Sequence, residues 1–242
     1  MALLLVAGCG GGADPSPRPL DSSPVESAPA PGTAPDTPGR PTDTGGTDGR
    51  TEVERDIDAA VAITDTYWRT HWSELFTGGY QPPRVLGPYD GAYAGTALDT
   101  PVCGGEPLPD DNAVYCSDGD YLAWDRDLMR WGHARGDAWV YLVIAHEWGH
   151  AVQNRLDAGL VELARELQAD CLAGAVLFGA ARDATLTFEE GDTEELADAL
   201  TALADRTPWT DVSDHGDAAQ RLSSFSRGAR SGVTSCLPDV IR

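Results

Sequence analysis

The sequence predicts a mostly helical α+β fold: a single domain with a small antiparallel sheet and a helical hairpin. All Phe, Trp and Tyr residues lie in residues 51–242, whereas residues 1–50 contain none of them and hold nine of the seventeen prolines. Apolar residues recur at three- and four-residue spacing early in residues 51–242, and again after residue 125. Between these two regions the chain contains short strand-like segments separated by turns.

The predicted elements follow in order. Strand-like segments are expected at residues 84–86, Ala113–Cys116 and residues 121–124. Helices are expected at residues 51–74, 138–154, 160–181 and 192–205, with a further helix ending at residues 228–232. Asp137 is the expected N-cap of the second helix, and Ser213 or Asp214 that of the last. Residues 156–159 are the expected turn of the hairpin.

The first fifty residues predict an export signal and a tether. Residues 1–9 are an apolar run ending in Val6-Ala7-Gly8-Cys9, which resembles a bacterial lipobox, where the thiol of the cysteine carries a lipid. The run lacks the positive charges of a signal peptide, so we expect upstream residues to be missing. Residues 10–50 predict a disordered Pro/Gly/Ser/Thr tether that cannot bury enough apolar surface to order. A chance apolar terminus with a stray cysteine is the alternative.

The net charge limits the partners that this protein can have. The net charge of −22, with no Lys in the chain, argues against nucleic acid or an anionic membrane surface as a partner. Because of the lipobox-like segment, we expect an extracytoplasmic protein that is lipid-anchored to the bacterial cell membrane. Because of the negative charge, we expect it to touch the membrane only through Cys9.

Setting Cys9 aside, four cysteines remain, which in an exported chain suggests two disulfides with three possible connectivities. Cys103 and Cys116 flank a loop typical of a hairpin, and this pairing leaves Cys171 with Cys236. A cysteine metal site is the rival interpretation, but the spacing does not support it.

His146-Glu147-Trp148-Gly149-His150 is an H-E-x-x-H sequence inside a predicted buried helix. Residues four apart project from nearly the same face, so both imidazoles can reach one metal ion. Glu147 flanks that face, where it can contact a metal-bound water without binding the ion. The alternative is a core helix with two hydrogen-bonded histidines. A buried glutamate between them is costly without a counter-charge, which a dication supplies.

A third ligand is expected from the next helix. The first helix runs about six residues beyond His150 and the second returns about six residues to Glu166, so the two residues come level. Glu162 competes but lies nearer the turn, and an exposed helical glutamate is the alternative for Glu166. Asp170, one turn further on the same face, can hydrogen-bond the outer nitrogen of a ligand histidine.

Further motifs accompany these residues. They are His150-Ala151-Val152-Gln153, Glu166-Leu167-Gln168-Ala169-Asp170-Cys171-Leu172-Ala173-Gly174, Cys103 with Tyr115-Cys116 and Asp118, and His215-Gly216, Gln220-Arg221, Gly228 and Cys236. Over roughly residues 55–238, the combination resembles the bacterial putative neutral zinc metallopeptidase family. The resemblance implies a zincin-like fold and a gluzincin-like site with one Zn²⁺, two His, one Glu and water. The fifteen residues between the second histidine and the glutamate are fewer than we expect in many relatives, which changes the expected cleft.

The expected chemistry is peptide hydrolysis. Three protein ligands leave one position on zinc for water, whose pKa the ion lowers to about 7. Glu147 is the expected general base, which passes the proton to the leaving amine. His215 is expected to stabilise the oxyanion from a helix N-terminus, with a capping or surface role and tyrosines as alternatives. His71 and His133 are expected to be structural.

The sequence therefore favours a zinc peptidase that acts on a peptide or protein. One alternative is a non-catalytic zinc-binding envelope lipoprotein that acts as a scaffold. The other is a binding lipoprotein in which the histidine pair is accidental.

Overall fold

The computed structural model describes residues 49–90, 100–206 and 215–238. Cys9, nearly all of the expected tether at residues 10–50, and the candidate caps Ser213 and Asp214 lie outside the described residues. The described part is mostly helical with small sheets, which confirms the predicted α+β class. Among its helices, none combines the length and the apolar character that a bilayer span requires.

Six α-helices and five strands make up the described fold. The helices are α1 (Glu52–Leu75), α2 (Arg126–His133), α3 (Ala138–Gln153), α4 (Arg165–Arg182), α5 (Asp192–Ala202) and α6 (Ala218–Ser231). The strands are β1 (Arg84–Tyr89), β2 (Val102–Cys103), β3 (Glu106–Pro107), β4 (Ala113–Cys116) and β5 (Tyr121–Asp125). Short 3₁₀ turns follow α3 and α6, at Ala158–Leu160 and Val233–Cys236.

The larger sheet has the order β1-β5-β4, and β5 is buried along its whole length. Strand β4 runs antiparallel to β5, as the sequence predicts, but β1 runs parallel to β5. The sheet is therefore mixed rather than purely antiparallel. The long connection between residues 89 and 121 makes this possible, because parallel neighbours need a crossover whereas antiparallel neighbours can be joined by a short turn.

Helices α3 and α4 form the centre of the core, with α1, α5 and α6 packed around them. Helix α3 is apolar on nearly all sides and buries Trp139 and Trp148 completely or almost completely. A helix that is apolar all round belongs inside a protein rather than on its surface. The helix that carries the H-E-x-x-H sequence is thus packed against its neighbours on nearly all sides.

Two glycines let the helices approach closely around the expected site. A Cβ at Gly149 of α3 would lie 3.1 Å from the main chain of Ala169 in α4. A Cβ at Gly228 of α6 would overlap the main-chain carbonyl of Cys171 in α4. Helices α3, α4 and α6 are therefore stacked at near backbone contact, and larger residues at these positions would force them apart.

Both predicted disulfides are present. Cys103–Cys116 joins β2 to β4, and Cys171–Cys236 joins α4 to the last 3₁₀ turn. The chain-entropy model gives about 3 kcal/mol for the shorter loop and about 4 kcal/mol for the longer one. Two such bonds are typical of extracytoplasmic proteins.

The second helix of the hairpin begins at Arg165, not at residue 160 as the hydrophobic pattern predicts. The side-chain amide of Gln168 explains the difference. Its oxygen accepts from the main-chain N–H of Glu162, and its nitrogen donates to the main-chain carbonyl of Leu160. These main-chain groups are satisfied by a side chain, so the segment does not need to be helical.

One predicted cap is confirmed in position and another differs. Asp137 is the N-cap residue of α3, as predicted, but its side chain makes no capping hydrogen bond. The carboxylate of Glu195 instead accepts from the N–H of Ala138 at 3.2 Å. Helix α6 is capped by Asp217, which forms a reciprocal capping box with Gln220.

Candidate metal centre

Three potential metal ligands converge between α3 and α4. The Oε2 atom of Glu166 lies 3.1 Å from Nε2 of His146 and 3.3 Å from Nε2 of His150. The two imidazole rings are 4.9 Å apart and nearly perpendicular. One ligand atom from each of the three residues lies within 4.8 Å of the other two. Two imidazoles and one carboxylate form a donor set that suits zinc and leaves a fourth position open.

Sequence periodicity and helix packing together produce this convergence. His146 and His150 are four residues apart and share one face of α3. Glu166 lies in the first turn of α4, so it reaches their level even though that helix begins later than predicted. The close approach of α3 and α4 at Gly149 brings α4 near enough for the carboxylate of Glu166 to reach both imidazole rings.

The site favours a positive charge. Burial lowers the pKa of His146, but hydrogen bonds to Asp170 and Glu166 outweigh it and raise that pKa to about 10. Burial would raise the pKa of Glu166, but hydrogen bonds and charge from His146 and His150 hold it well below its ordinary value. In the metal-free protein, a proton on His146 thus offsets part of the negative charge of Glu166 and Asp170. A bound dication can take over that role.

Asp170 supports His146 from behind. Its Oδ1 atom lies 2.9 Å from Nδ1 of His146. Arg221 of α6 donates to both oxygens of Asp170, each at 2.8 Å, and is itself only 3% exposed. Burial would raise the pKa of Asp170, but the hydrogen bonds and charge of Arg221 lower it. Asp170 therefore stays ionised and accepts a hydrogen bond from Nδ1–H of His146, which leaves Nε2 facing Glu166.

His150 has a neutral partner instead. Its Nδ1 atom lies 3.0 Å from Oε1 of Gln153, one turn further along α3. The Nε2 atoms of both histidines thus face the same point, while each Nδ1 is held by a different kind of acceptor.

Glu147 lies beside this point rather than in it. Its Oε2 atom accepts a hydrogen bond of 2.7 Å from the main-chain N–H of Tyr115 in β4. Burial raises the pKa of Glu147, and the charges of His150 and His146 oppose that shift. A carboxylate with a raised pKa, close to the ligands but outside the ligand set, suits a general base.

These residues open onto a cleft of about 520 Å³. One wall is β4 with the residues just before it, and another comes from α3 and α4. Apolar side chains from β4, α2 and α3 and from the residue after α5 line part of it: Val114, Leu128, Leu142, Val143 and Leu203. A concave site with apolar walls and a few converging polar groups is typical of a binding or catalytic site.

His215 also lines the cleft, but not at a helix N-terminus as predicted. Helix α6 is capped by Asp217, so His215 lies in the segment before the cap. Its main-chain N–H donates to Asp205 at 2.7 Å, and its Nε2 atom lies 3.9 Å from Oε2 of Glu166. The side chain is half exposed. The structure brings it to the edge of the centre, with its ring toward the cleft.

The remaining candidates lie apart from the centre. The carboxylate of Glu162 is 4.0 Å from Arg227, outside the ligand group. His71 bonds Glu74 and Asp183. His133 bonds a carboxylate of α1, Asp56, at 2.8 Å.

Sequence reasoning assigned no role to Arg221, Gln153 or the main-chain N–H of Tyr115. Arg221 and Gln153 both stand in the short motifs that carried the family resemblance. Gln153 is also a polar residue at the end of an apolar helix, which is a usable signal for a buried partner. A main-chain N–H has no such signal, because every non-proline residue has one.

Comparisons with known proteins bear on the C-terminal part of the chain. No curated protein and no solved structure matches the sequence. The sequence model described as putative neutral zinc metallopeptidase matches residues 155–237. This segment contains Glu166, Asp170, His215 and Arg221, and it begins just after the H-E-x-x-H helix. Over residues 155–237, the match confirms the zinc metallopeptidase family that the sequence motifs indicate.

Proposed function

We propose that this protein is a zinc-dependent peptidase in which His146, His150 and Glu166 hold one Zn²⁺ and Glu147 is the general base. The observation that carries the proposal is the convergence of two Nε2 atoms and one carboxylate oxygen beside a separate carboxylate, in an open cleft. A purely structural histidine pair would not need that second carboxylate, whose burial is costly.

Bound zinc supplies Lewis-acid chemistry: it activates water and polarises the scissile carbonyl. The protein's own groups perform the proton transfers. Glu147 accepts a proton from the attacking water and passes it to the nitrogen of the leaving amine. The N–H of Tyr115 holds Oε2 of Glu147, so that the other oxygen remains available for the transfer.

The edge strand β4 supports an extended peptide as substrate. The main-chain carbonyl of Asn112 points toward β5 and accepts a hydrogen bond from the N–H of Asp125. The N–H of Tyr115 points away from β5 and donates to Glu147. Because main-chain groups of successive residues alternate in direction along a strand, the N–H and C=O of Ala113 also point toward the cleft. A peptide can therefore pair with β4 next to the general base.

His215 is the proposed donor to the oxyanion. Its ring lines the cleft within 4 Å of Glu166, close enough to reach a group bound beside the metal. The hydroxyl of Tyr115 is a weaker candidate, because it donates to Asp120 and accepts from Asn154.

Lipid anchoring through Cys9 is proposed for the N-terminal part. It rests on Val6-Ala7-Gly8-Cys9 and on the two disulfides, which are typical of exported proteins. In cells fed a radiolabelled fatty acid, the label is expected on the wild-type protein and not on Cys9→Ala. A wild-type chain without label contradicts the anchor.

A peptide-library cleavage assay tests the function. The zinc-loaded protein is expected to cleave peptides, and Glu147→Gln is expected to retain zinc but lose at least about 10²-fold in rate, as removal of a general base does. Glu162→Gln is the matched control, because Glu162 lies outside the ligand group. If the wild type binds zinc and cleaves nothing, the scaffold alternative replaces the peptidase.

A further inference from the structure

Behind His150 lie two buried side-chain amides that the proposed mechanism does not use. Gln153 is 2% exposed and Gln168 is fully buried. Oε1 of Gln153 lies 3.0 Å from Nδ1 of His150, and Nε2 of Gln153 lies 3.1 Å from Oε1 of Gln168. Because a primary amide has a donor end and an acceptor end, the direction in which each amide points has consequences for the histidine.

The direction of Gln168 is fixed by the main chain. Its Nε2 atom lies 2.8 Å from the carbonyl of Leu160 and 3.0 Å from the carbonyl of Cys236. Carbonyl oxygens only accept, so this end of the side chain must be the NH₂ group. Its oxygen then accepts from Gln153 and from the N–H of Glu162, at 3.1 Å each. Reversing the amide would place an oxygen against two carbonyls in a buried site.

The direction of Gln153 follows from the same reasoning. Its Nε2 atom lies 2.7 Å from the main-chain carbonyl of Arg165 and also faces the oxygen of Gln168. Both neighbours are acceptors, so Nε2 must be the donor end. The oxygen of Gln153 therefore faces His150 and can only accept, which requires a proton on Nδ1 of that histidine.

We propose that Gln153 and Gln168 form a glutamine relay that sets the tautomer of His150. A neutral imidazole can carry its proton on either nitrogen, and the neighbour of one nitrogen decides which is protonated. The relay keeps the proton on Nδ1 and leaves the Nε2 lone pair directed toward Glu166. The two glutamines are thus positioning residues, and the inference rests on the proposed function in that the metal occupies the site at His150.

The relay begins at a covalently fixed point. The carbonyl of Cys236 that orients Gln168 belongs to a residue tied by its disulfide to Cys171 in α4. Gln168 itself lies on the same helix, three residues before Cys171. Gln168 and the carbonyl of Cys236 that orients it are therefore both tied to α4, which helps this uncharged chain of hydrogen bonds to keep a single direction.

Zinc affinity measured by competition with a chelator is the first test. Gln153→Met keeps the side-chain length but removes the acceptor, and is expected to weaken zinc binding about 10- to 100-fold, the usual cost of losing a partner that orients a ligand. Gln168→Met is expected to weaken it less, because Gln153 keeps the carbonyl of Arg165. Gln81→Met, at an exposed glutamine, is the matched control and should bind zinc as the wild type does.

Nitrogen NMR of the zinc-loaded full chain is the second test. The wild type is expected to carry the metal on Nε2 of His150 and a slowly exchanging proton on Nδ1, and exchange of that proton should accelerate in Gln153→Met. A proton on Nε2, or wild-type zinc affinity in Gln153→Met, overturns the relay. The wild-type spectrum shows which nitrogen of His150 carries the proton, even if Gln168→Met does not fold.

The outcomes separate the two proposals. A wild type that binds zinc, shows the Nδ1 proton and cleaves no peptide refutes the peptidase alone. A wild type that cleaves peptides while Gln153→Met binds zinc normally refutes the relay alone. A wild type that binds no zinc overturns both.

Discussion

The main-chain N–H of Tyr115 and the carboxylate of Glu147 are joined by a 2.7 Å hydrogen bond that links strand β4 to helix α3. This bond fixes the proposed base against the same strand edge that is proposed to receive the peptide. The side chain of Tyr115 secures the strand further, because its hydroxyl bonds Asp120 and Asn154, the latter just after α3. The proposed base and the proposed peptide site are thus adjacent to one short segment.

Arg221 is expected to be essential for stability. Arg221→Met removes the guanidinium that donates to both oxygens of the buried carboxylate of Asp170, and we expect the free energy of unfolding to fall by about 3 to 5 kcal/mol. Denaturant unfolding measures the loss. The double variant Arg221→Met/Asp170→Asn should be clearly less destabilised than the sum of the two single variants, because the charges are removed together. Additive effects of the two changes would show that the pair is not coupled.

Gly228→Ala is expected to separate α6 from α4. The added Cβ would overlap the carbonyl of Cys171, which is main chain and cannot swing aside. We expect a loss of about 1 to 3 kcal/mol, the usual cost of overpacking. Gly79→Ala is the control, since nothing lies within 4 Å of its added Cβ. Equal unfolding midpoints for the two variants would contradict the close packing of these helices.

His71 is expected to make stability depend on pH. Partial burial lowers the pKa of His71, but hydrogen bonds to Glu74 and Asp183 outweigh it and raise that pKa above its ordinary value. A group whose pKa is raised by folding stabilises the protein below its unfolded pKa, near 6.5, and loses this effect as the pH rises through the folded pKa.

The comparison of wild type with His71→Gln isolates this contribution. We expect the wild type to be more stable than the variant by up to about 1 kcal/mol at about pH 5.5, with the difference shrinking by about pH 9. Unfolding free energies at the two pH values measure it. If the stability difference between wild type and variant grows with pH, the hydrogen bonds of His71 to Glu74 and Asp183 do not raise its pKa.

The sequence was most informative where periodicity and covalent chemistry act locally. The four-residue spacing of His146 and His150 gives a shared helix face in any α-helix. The hydrophobic pattern also located β4 and the burial of α3. It misplaced the start of α4, because the side chain of Gln168 satisfies the main chain of residues 160 and 162 and takes the place of a first helical turn.

The tertiary contacts around the metal centre were harder to predict from the sequence. Arg221 is 51 residues from Asp170, and local patterning does not show which buried carboxylate a distant arginine meets. His215 lies before the helix N-terminus because the capping box of α6 is formed by Asp217 and Gln220, further along the chain than the predicted cap at Ser213 or Asp214. The parallel pairing of β1 with β5 depends on the path of a long connection, which alternation of side chains does not encode.

The metal content of the purified full chain tests the central claim most directly. Elemental analysis after dialysis is expected to find one zinc per chain in the wild type and in the control Glu162→Ala, and little in His150→Ala or Glu166→Ala. A wild type that retains no zinc while both disulfides are intact contradicts the account. So does a Glu166→Ala variant that retains as much zinc as the wild type.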